Sequence, residues 1–199
     1  MKCFVIAAVF ALPFCEAQQP VQRPPVFPLS SHSWWEYSGT AKLRGNPGTQ
    51  PVLIRMEVIR VRERSGVRAA WVTGSPLGLT DYSVGPGDQV IGRVGHRMYI
   101  TDTARSIEVR ERMDNPSDAL ADLFKESEFL LDTTLPVGNG ASMEGSDYQI
   151  TRNTKGGFRT IRFTIGVGIK EYRFADSAAG ESGDVKLNAS DVQPETSVN

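Results

Sequence analysis

An alternation of apolar and charged side chains along residues 52–64 constrains the fold of this chain more than any other feature of its sequence. From Val52 to Val58 the even-numbered side chains are apolar and the odd-numbered ones become charged, which is the period-two signature of a half-buried strand. From Ile59 to Arg64 the phase is reversed. Because one inserted residue reverses the phase of a strand, the pattern predicts a β-bulge near Val58 and Ile59.

Short turn sequences connect this strand to its neighbours. Ser65-Gly66 is typical of a hairpin turn, Val94-Gly95 predicts a second hairpin, and Gly166-Val167-Gly168 predicts a bend between the last two strands. Consecutive hairpins indicate an antiparallel meander, so we predict a mainly β fold, a curved antiparallel sheet that forms a half or full barrel, with one short helix. The other predicted strands are residues 67–71, 89–93, 97–101, 105–110, 161–165 and 169–174.

One segment has the pattern of a helix. Asn115-Pro116-Ser117 combines a proline that ends the preceding strand with a serine suited to cap a helix. Leu120, Leu123 and Phe124 would then lie on one face of that helix. The sequence therefore predicts a short helix near residues 117–127 that covers one mouth or face of the sheet.

The N-terminus has the features of a secretory signal peptide. Met1-Lys2 gives a cationic start, residues 3–15 are almost wholly apolar, and Ala17 is a small residue at a suitable cleavage position. The apolar run is shorter than the roughly 20 residues that a membrane-spanning helix requires. We therefore predict an exported protein, in the periplasm, at the cell surface or secreted, with no transmembrane segment after cleavage.

Composition divides the rest of the chain into three parts. A Pro- and Gln-rich segment is typical of an extended lead-in, and the strand patterns follow it as a single β-rich domain. After the last predicted strand, Gly, Ser, Asp and Glu become frequent, which favours a mostly disordered tail with one possible short strand at residues 185–187. The predicted boundaries are 1–17 for the signal, 18–28 for the lead-in, 29–176 for the domain and 177–199 for the tail.

The chemistry-bearing residues are few. Cys3 and Cys15 both lie in the predicted signal, so the mature chain would have no disulfide, thiolate metal site or cysteine nucleophile; the alternative is lipidation at Cys15. His32 and His96 are the only histidines and lie far apart in the sequence. We predict no catalytic residue, no metal, no cofactor and no enzymatic activity.

Aromatic side chains on predicted strands offer a different function. Tyr37, Trp71 and Tyr99 combine large apolar area with a hydrogen-bonding group, as in a ligand cavity, so we predict that they bind a small apolar or amphipathic ligand. The alternative is a structural or interaction module that docks on a cell-envelope protein and has no cavity. Trp35 is predicted to be buried where the first strand meets the sheet. Nucleic acid is not expected as a partner, since no basic groove is evident.

Three short motifs lie along the predicted mature chain. Phe27-Pro28-Leu29 is followed by Trp35-Glu36-Tyr37, and Leu135-Pro136-Val137-Gly138 and the segment Gly166–Glu171 come later. The first resembles the opening, and the other two resemble elements near the C-termini, of a loosely defined group of exported bacterial β-rich proteins, many of them uncharacterised proteins of soil bacteria such as acidobacteria. The resemblance implies a curved antiparallel sheet with a helix, and it implies no activity.

The signal sequence generates the first testable prediction. Exported material should begin at Gln18, because cleavage is expected after Ala17. N-terminal sequencing or intact mass spectrometry of the exported protein measures this. A mature chain that begins at a lipid-bearing Cys15 would contradict it.

Overall fold

The computed structural model describes residues 25–80, 87–102 and 104–195. The predicted signal peptide, its cleavage site and residues 18–24 of the predicted lead-in lie outside these ranges. Within them, no helix has the length and apolar character needed to cross a membrane.

In the described residues, eleven antiparallel strands form one sheet, and there is one α-helix, α1, Ser106–Asp114. Two short 3-10 helices span Pro76–Thr80 and Leu120–Phe124. The sheet curls into a half-barrel, so the predicted fold class is confirmed. The strands are β1 Trp34–Lys42, β2 Gln50–Arg64, β3 Val67–Thr73, β4 Gln89–Val94, β5 Arg97–Ile100, β6 Glu128–Asp132, β7 Ala141–Glu144, β8 Asp147–Thr154, β9 Gly157–Thr164, β10 Gly168–Asp176 and β11 Glu181–Asp191.

The sheet consists of two meanders, the first formed by β1–β6 and the second by β7–β11, and they are joined where β1 lies beside β11. Its order is β6-β5-β4-β3-β2-β1-β11-β10-β9-β8-β7, so sequence neighbours pair everywhere except at the centre, where β1 pairs with β11. This junction aligns Trp34 with Asp191 and Lys42 with Ser182. The two edges of the sheet, β6 and β7, are consecutive in sequence and connected by residues 133–140.

The local predictions for β2 are confirmed. The register of β2 against β3 shifts between Val58 and Arg60, and Val58 and Val61 are both buried, as the β-bulge requires. Ser65 and Gly66 both have positive φ, 51° and 74°, so the turn has the twist that suits a two-residue hairpin.

Apolar side chains are buried on both faces of part of the sheet. The inner face of the half-barrel carries the main core, to which β3 contributes Ala70 and Val72. On the outer face, Ala69 of β3 and Val90 of β4 are covered by α1 and the second 3-10 helix. The covering residues are Val109, Met113, Leu120, Leu123 and Phe124.

The predicted strand at residues 105–110 is wrong, because this segment belongs to α1. Its buried apolar residues Val109 and Met113 are four apart and share one helical face, whereas Ile107 is 57 % exposed. Charged groups on the outer face of β2 fix the helix end. Asp114 pairs with Arg60 and, at 2.8 Å, with Arg62.

The helix predicted near residues 117–127 is instead the 3-10 helix Leu120–Phe124. The side chains that suggested it, Leu120, Leu123 and Phe124, are buried on one face of the sheet as expected. The Phe124 ring lies directly against Gly92 of β4, where any Cβ would collide with it. One tight turn is enough to place all three apolar side chains, so the segment needs no longer helix.

The predicted disordered tail is wrong for residues 181–191, which form the central strand β11. Only Val185 in this strand is buried, which is why its composition resembles that of a polar tail. Its backbone nevertheless pairs with β1 on one side and with β10 on the other. Backbone pairing needs no apolar side chains, so hydrophobicity predicted the short strand at residues 185–187 and missed the rest of β11.

The predicted domain boundary at residue 29 is also too late. Val26, Phe27 and Leu29 are buried, with Phe27 and Leu29 completely inaccessible to solvent. The Phe27 ring packs edge-on against Trp35, with 5.4 Å between ring centroids. The described end of the predicted lead-in is therefore part of the core.

The burial of Trp35 predicts a large contribution of this residue to the stability of the fold. Its side chain is fully buried, and its indole Nε1 donates a 2.6 Å hydrogen bond to the carbonyl oxygen of Val167. Trp35→Ala should therefore lower the free energy of unfolding by about 3–5 kcal/mol, as truncation of large aromatic residues in cores does.

Denaturant titration measures this loss, and the neighbouring Trp34 is a matched control. Trp34 is half-buried on the opposite face, where the Arg55 guanidinium lies 4.4 Å from its ring centroid. Trp34→Ala should cost less than about 1.5 kcal/mol, because only partial burial and a cation–π contact are lost. Equal losses for the two variants would contradict the burial of Trp35.

Candidate functional site

A cavity of about 320 Å³ opens at one end of the half-barrel. One wall comes from the first meander, through Ile100 of β5 and Leu130 of β6. The facing wall comes from the second meander, through the β8–β9 hairpin and Tyr172 of β10. The cavity is thus built by the curling of the sheet, which brings the two meanders opposite one another.

The β8–β9 hairpin forms a graded wall of this cavity. Three directly paired positions of its ladder lie on the inner face: Tyr148 with Phe163, Ile150 with Ile161, and Arg152 with Arg159. The first pair is deep in the core, and the other two pairs line the cavity. Because inner-face positions recur every second residue, successive pairs are about 7 Å apart, and the wall changes from aromatic to aliphatic to cationic.

Strand β6, on the facing wall, also changes from apolar to charged toward the mouth, but its charged group is a carboxylate. Leu130 is buried and Glu128 is half-exposed, and both line the cavity. Glu128 accepts a 2.8 Å hydrogen bond from Arg152, which also donates to the carbonyl oxygen of Leu130 at 2.7 Å. Arg152 therefore ties the edge strand β6 to β8 through side-chain bonds at the cavity mouth.

The opposite end of the half-barrel is closed by both ends of the described chain. Phe27 packs there against Trp35 and Phe163. Glu195 accepts hydrogen bonds from the backbone N–H of Leu29 at 2.8 Å and from Arg93 at 2.6 Å. This end of the half-barrel is therefore closed, and the cavity opens at the other end.

The carboxyl of Glu195 is well suited to hold this closed end together. Burial raises its pKa, but the hydrogen bonds from Arg93 and from the Leu29 N–H, with the nearby charge of Arg68, outweigh burial and leave the pKa below its usual value. Arg68 is itself buried and donates to the carbonyl oxygen of Leu29 at 2.8 Å. The charged form of Glu195 is therefore the stabilising one.

The three aromatic residues predicted as the ligand site do not come together. Tyr37 is fully buried in the inner core, where its hydroxyl donates to the carbonyl oxygen of Ile169 at 3.1 Å and burial raises its pKa well above the usual value. Trp71 and Tyr99 lie on the outer face, packed against the helix-covered cluster. None of the three is among the residues that line the cavity, so the structure gives them no shared binding surface.

The reason for this error is specific to β structure. Alternation shows which residues of a strand share a face, but it does not show which face becomes the inside. On β3 and β5 the inward residues are the neighbours of the predicted ones, Ala70 and Val72 on β3 and Met98 and Ile100 on β5. The outward position of Trp71 is stabilised by Arg110 of α1, whose guanidinium lies 4.5 Å from the ring centroid.

A signal for the true cavity wall was present in the sequence. Residues 148–163 form a mirror pattern about the Lys155-Gly156 turn, with Tyr, Ile and Arg at alternate positions before it and Arg, Ile and Phe after it. An antiparallel hairpin places such positions directly opposite each other. The pattern does not reveal that the sheet curls to enclose this face.

The two histidines lie at turns of the chain. His32 has a positive φ of 67° and is exposed, and His96 follows Gly95 in the β4–β5 turn. In the part of the chain that the structure describes, no three His, Cys, Asp or Glu side chains are grouped to hold a metal ion.

Comparison with known proteins finds neither a matching family model nor a matching curated protein. The chain is similar in structure to a "putative lipoprotein" from Parabacteroides distasonis, with a TM-score of 0.43 and 10% identity over 85% of this chain and 100% of that one. It is also similar to a "putative exported protein" with a YmcC-like fold from Bacteroides fragilis, with a TM-score of 0.43 and 9% identity over 84% and 99% of the two chains.

Glu195 generates a prediction of pH-dependent stability. Its native pKa is lowered, so its stabilisation is present above the unfolded pKa of about 4.3 and is lost as the pH falls through the native pKa. Glu195→Gln should lower the free energy of unfolding by about 1–3 kcal/mol at pH 7, because charge-assisted hydrogen bonds are lost.

Urea titrations between pH 7 and pH 3 measure this dependence. The difference between the wild type and the Glu195→Gln variant should shrink below pH 4. Glu144→Gln, an exposed position on β7, should show no such difference at any pH. A deficit of Glu195→Gln that is independent of pH would contradict the role of the charge.

Proposed function

We propose that this protein is an exported, non-catalytic binding module that holds a small amphipathic ligand in the cavity at the open end of the half-barrel. The observation that carries the proposal is the gradient along the cavity walls. The same two strands that supply Ile150 and Ile161 inside supply Arg152 and Arg159 at the mouth. A ligand with an apolar tail and a polar head matches this order.

The dimensions of the cavity support a small ligand. Its volume, about 320 Å³, lies at the lower end of the roughly 300–1,000 Å³ range that is usual for ligand pockets. Burial of an apolar tail against the aliphatic lining would contribute about 25 cal/mol for each Å² removed from water. A short acyl or alkyl chain is therefore the preferred occupant.

The walls of the cavity are held in place before any ligand arrives. Arg152 binds Glu128 and the Leu130 carbonyl across the gap between β8 and β6. The closed end is fixed by the bonds of Glu195 and by the packing of Phe27. A preformed cavity lowers the ordering cost of binding.

The export of the protein rests on the predicted signal peptide at residues 1–17. Amphipathic molecules such as fatty acids and lipid fragments are available outside the cytoplasm. The second candidate, a structural or interaction module of the cell envelope, requires no ligand in the cavity. The two candidates therefore differ in one measurable property.

N-phenyl-1-naphthylamine, an uncharged apolar dye that fluoresces on leaving water, is the probe of choice. The purified protein should increase its fluorescence saturably. Ile150→Trp should abolish this signal, since the larger ring fills the cavity, and circular dichroism should show an intact fold.

Ile107→Trp is the matched control for this substitution. Ile107 is 57 % exposed on α1, so its replacement should leave dye binding unchanged. No saturable signal with the wild-type protein, or equal binding by the Ile150→Trp variant, would refute the cavity and favour the interaction module.

A further inference from the structure

The arginine pair at the cavity mouth is an unusual arrangement for a sheet. Arg152 and Arg159 are direct cross-strand partners in the β8–β9 ladder, and both line the cavity. Side chains in such positions lie close together, and two like charges there destabilise a sheet. An anion between or above the two guanidinium groups would remove this repulsion.

The protein itself supplies one carboxylate for the two arginines. Glu128 lies 2.8 Å from Arg152 and 3.6 Å from Arg159. The first distance is that of a charge-assisted hydrogen bond, whereas the second is too long for one. The guanidinium of Arg159 therefore has donors left for a further acceptor at the mouth.

The other carboxylates of the mouth are engaged by a different arginine. Asp102 accepts the backbone N–H of Arg105 at 2.7 Å. The side chain of Glu126 is 81 % exposed and lies 3.4 Å from the Arg105 guanidinium. Neither acid pairs with Arg152 or Arg159, so the two guanidinium groups of the hairpin share the one carboxylate of Glu128.

We propose that Arg159, with Arg152 beside it, forms a subsite for the anionic head of the ligand, either a carboxylate or a phosphate monoester. The guanidinium fork suits both groups, because each presents oxygens for paired hydrogen bonds. The inference rests on the proposed function and names the class of its ligand, an anionic amphiphile.

The ladder spacing fits this assignment. The aliphatic pair Ile150 and Ile161 lies two residues from the arginine pair on each strand, a distance of about 7 Å. A head bound at Arg159 therefore places the chain carbons a few bonds away against the isoleucines. Recognition of the head and burial of the tail take place on the same hairpin.

The two arginines have different roles in this subsite. Arg152 binds Glu128 and the Leu130 carbonyl, so it positions the wall, and its removal would also loosen β6. In the described part of the chain, Arg159 forms one ion pair, the 3.6 Å contact with Glu128. Arg159→Gln is therefore the variant that tests the head subsite with least effect on the walls.

Displacement of N-phenyl-1-naphthylamine by octyl compounds that differ in the head alone tests the assignment. Nonanoate and octyl phosphate should displace the dye at concentrations about tenfold lower than octanol, because charge-assisted hydrogen bonds add to the burial of the same octyl tail. Octylammonium should be weaker than octanol. Inorganic phosphate shows whether the head binds without a tail, and no displacement of the dye is expected from it.

The Arg159→Gln variant should lose the preference for anions and keep its affinity for octanol. Arg97→Gln, which removes one exposed positive charge from β5 away from the cavity, should behave as the wild type. The preference of the wild type should also decrease with added salt, as an interaction at a partly exposed site does.

The possible failures are distinguishable. If the dye does not bind, the proposed function is wrong, and the head subsite is wrong with it. If the dye binds and the four octyl compounds displace it equally, the cavity is right and the head subsite is wrong. A preference for anions that persists in Arg159→Gln also overturns the assignment of this residue.

Discussion

The pairing of β1 with β11 is the constraint on which the rest of the structure depends. It joins two meanders that would otherwise be separate sheets, and it links residues as distant in sequence as Trp34 and Asp191. Closing such a long loop costs chain entropy before any contact is gained. At Gly39 the backbone of β11 lies so close that a Cβ would collide with the Asp184 carbonyl, so the junction requires glycine there.

The curl that follows from this junction gives the sheet two unequal faces. The outer face of β3 and β4 is covered by α1 and the second 3-10 helix, so both sides of these strands are apolar. The inner face is filled by large side chains at the closed end and is open at the other. The cavity is therefore the part of the half-barrel that the core does not fill, and its position is set by the Phe27, Trp35 and Phe163 cluster.

Arginine side chains have three different uses in this fold. On the outer face, Arg60 and Arg62 of β2 bind Asp114 at the end of α1 and so fix the helix. At the closed end, Arg68 and Arg93 hold Glu195 and the N-terminal segment. At the cavity mouth, Arg152 bridges the two meanders. Arginine is interspersed with apolar residues in all of these strands. The contacts of each arginine therefore cannot be read from this pattern, because they depend on the face and the end of the sheet at which the residue lies.

The sequence by itself determined the β class, the bulge at Val58 and the hairpin at Ser65-Gly66, because these depend on near neighbours along the chain. It also predicted the burial of Trp35, although not the distant partners, such as Val167, that bury it. It did not determine that residues 181–191 form the central strand, since backbone pairing leaves no hydrophobic pattern in them. Nor did it place the site, because a period of two is the same whichever face is inside. Only the curl of the sheet and the position of α1 decided that Trp71 and Tyr99 lie outside and that Ile150, Ile161 and the arginine pair enclose a cavity.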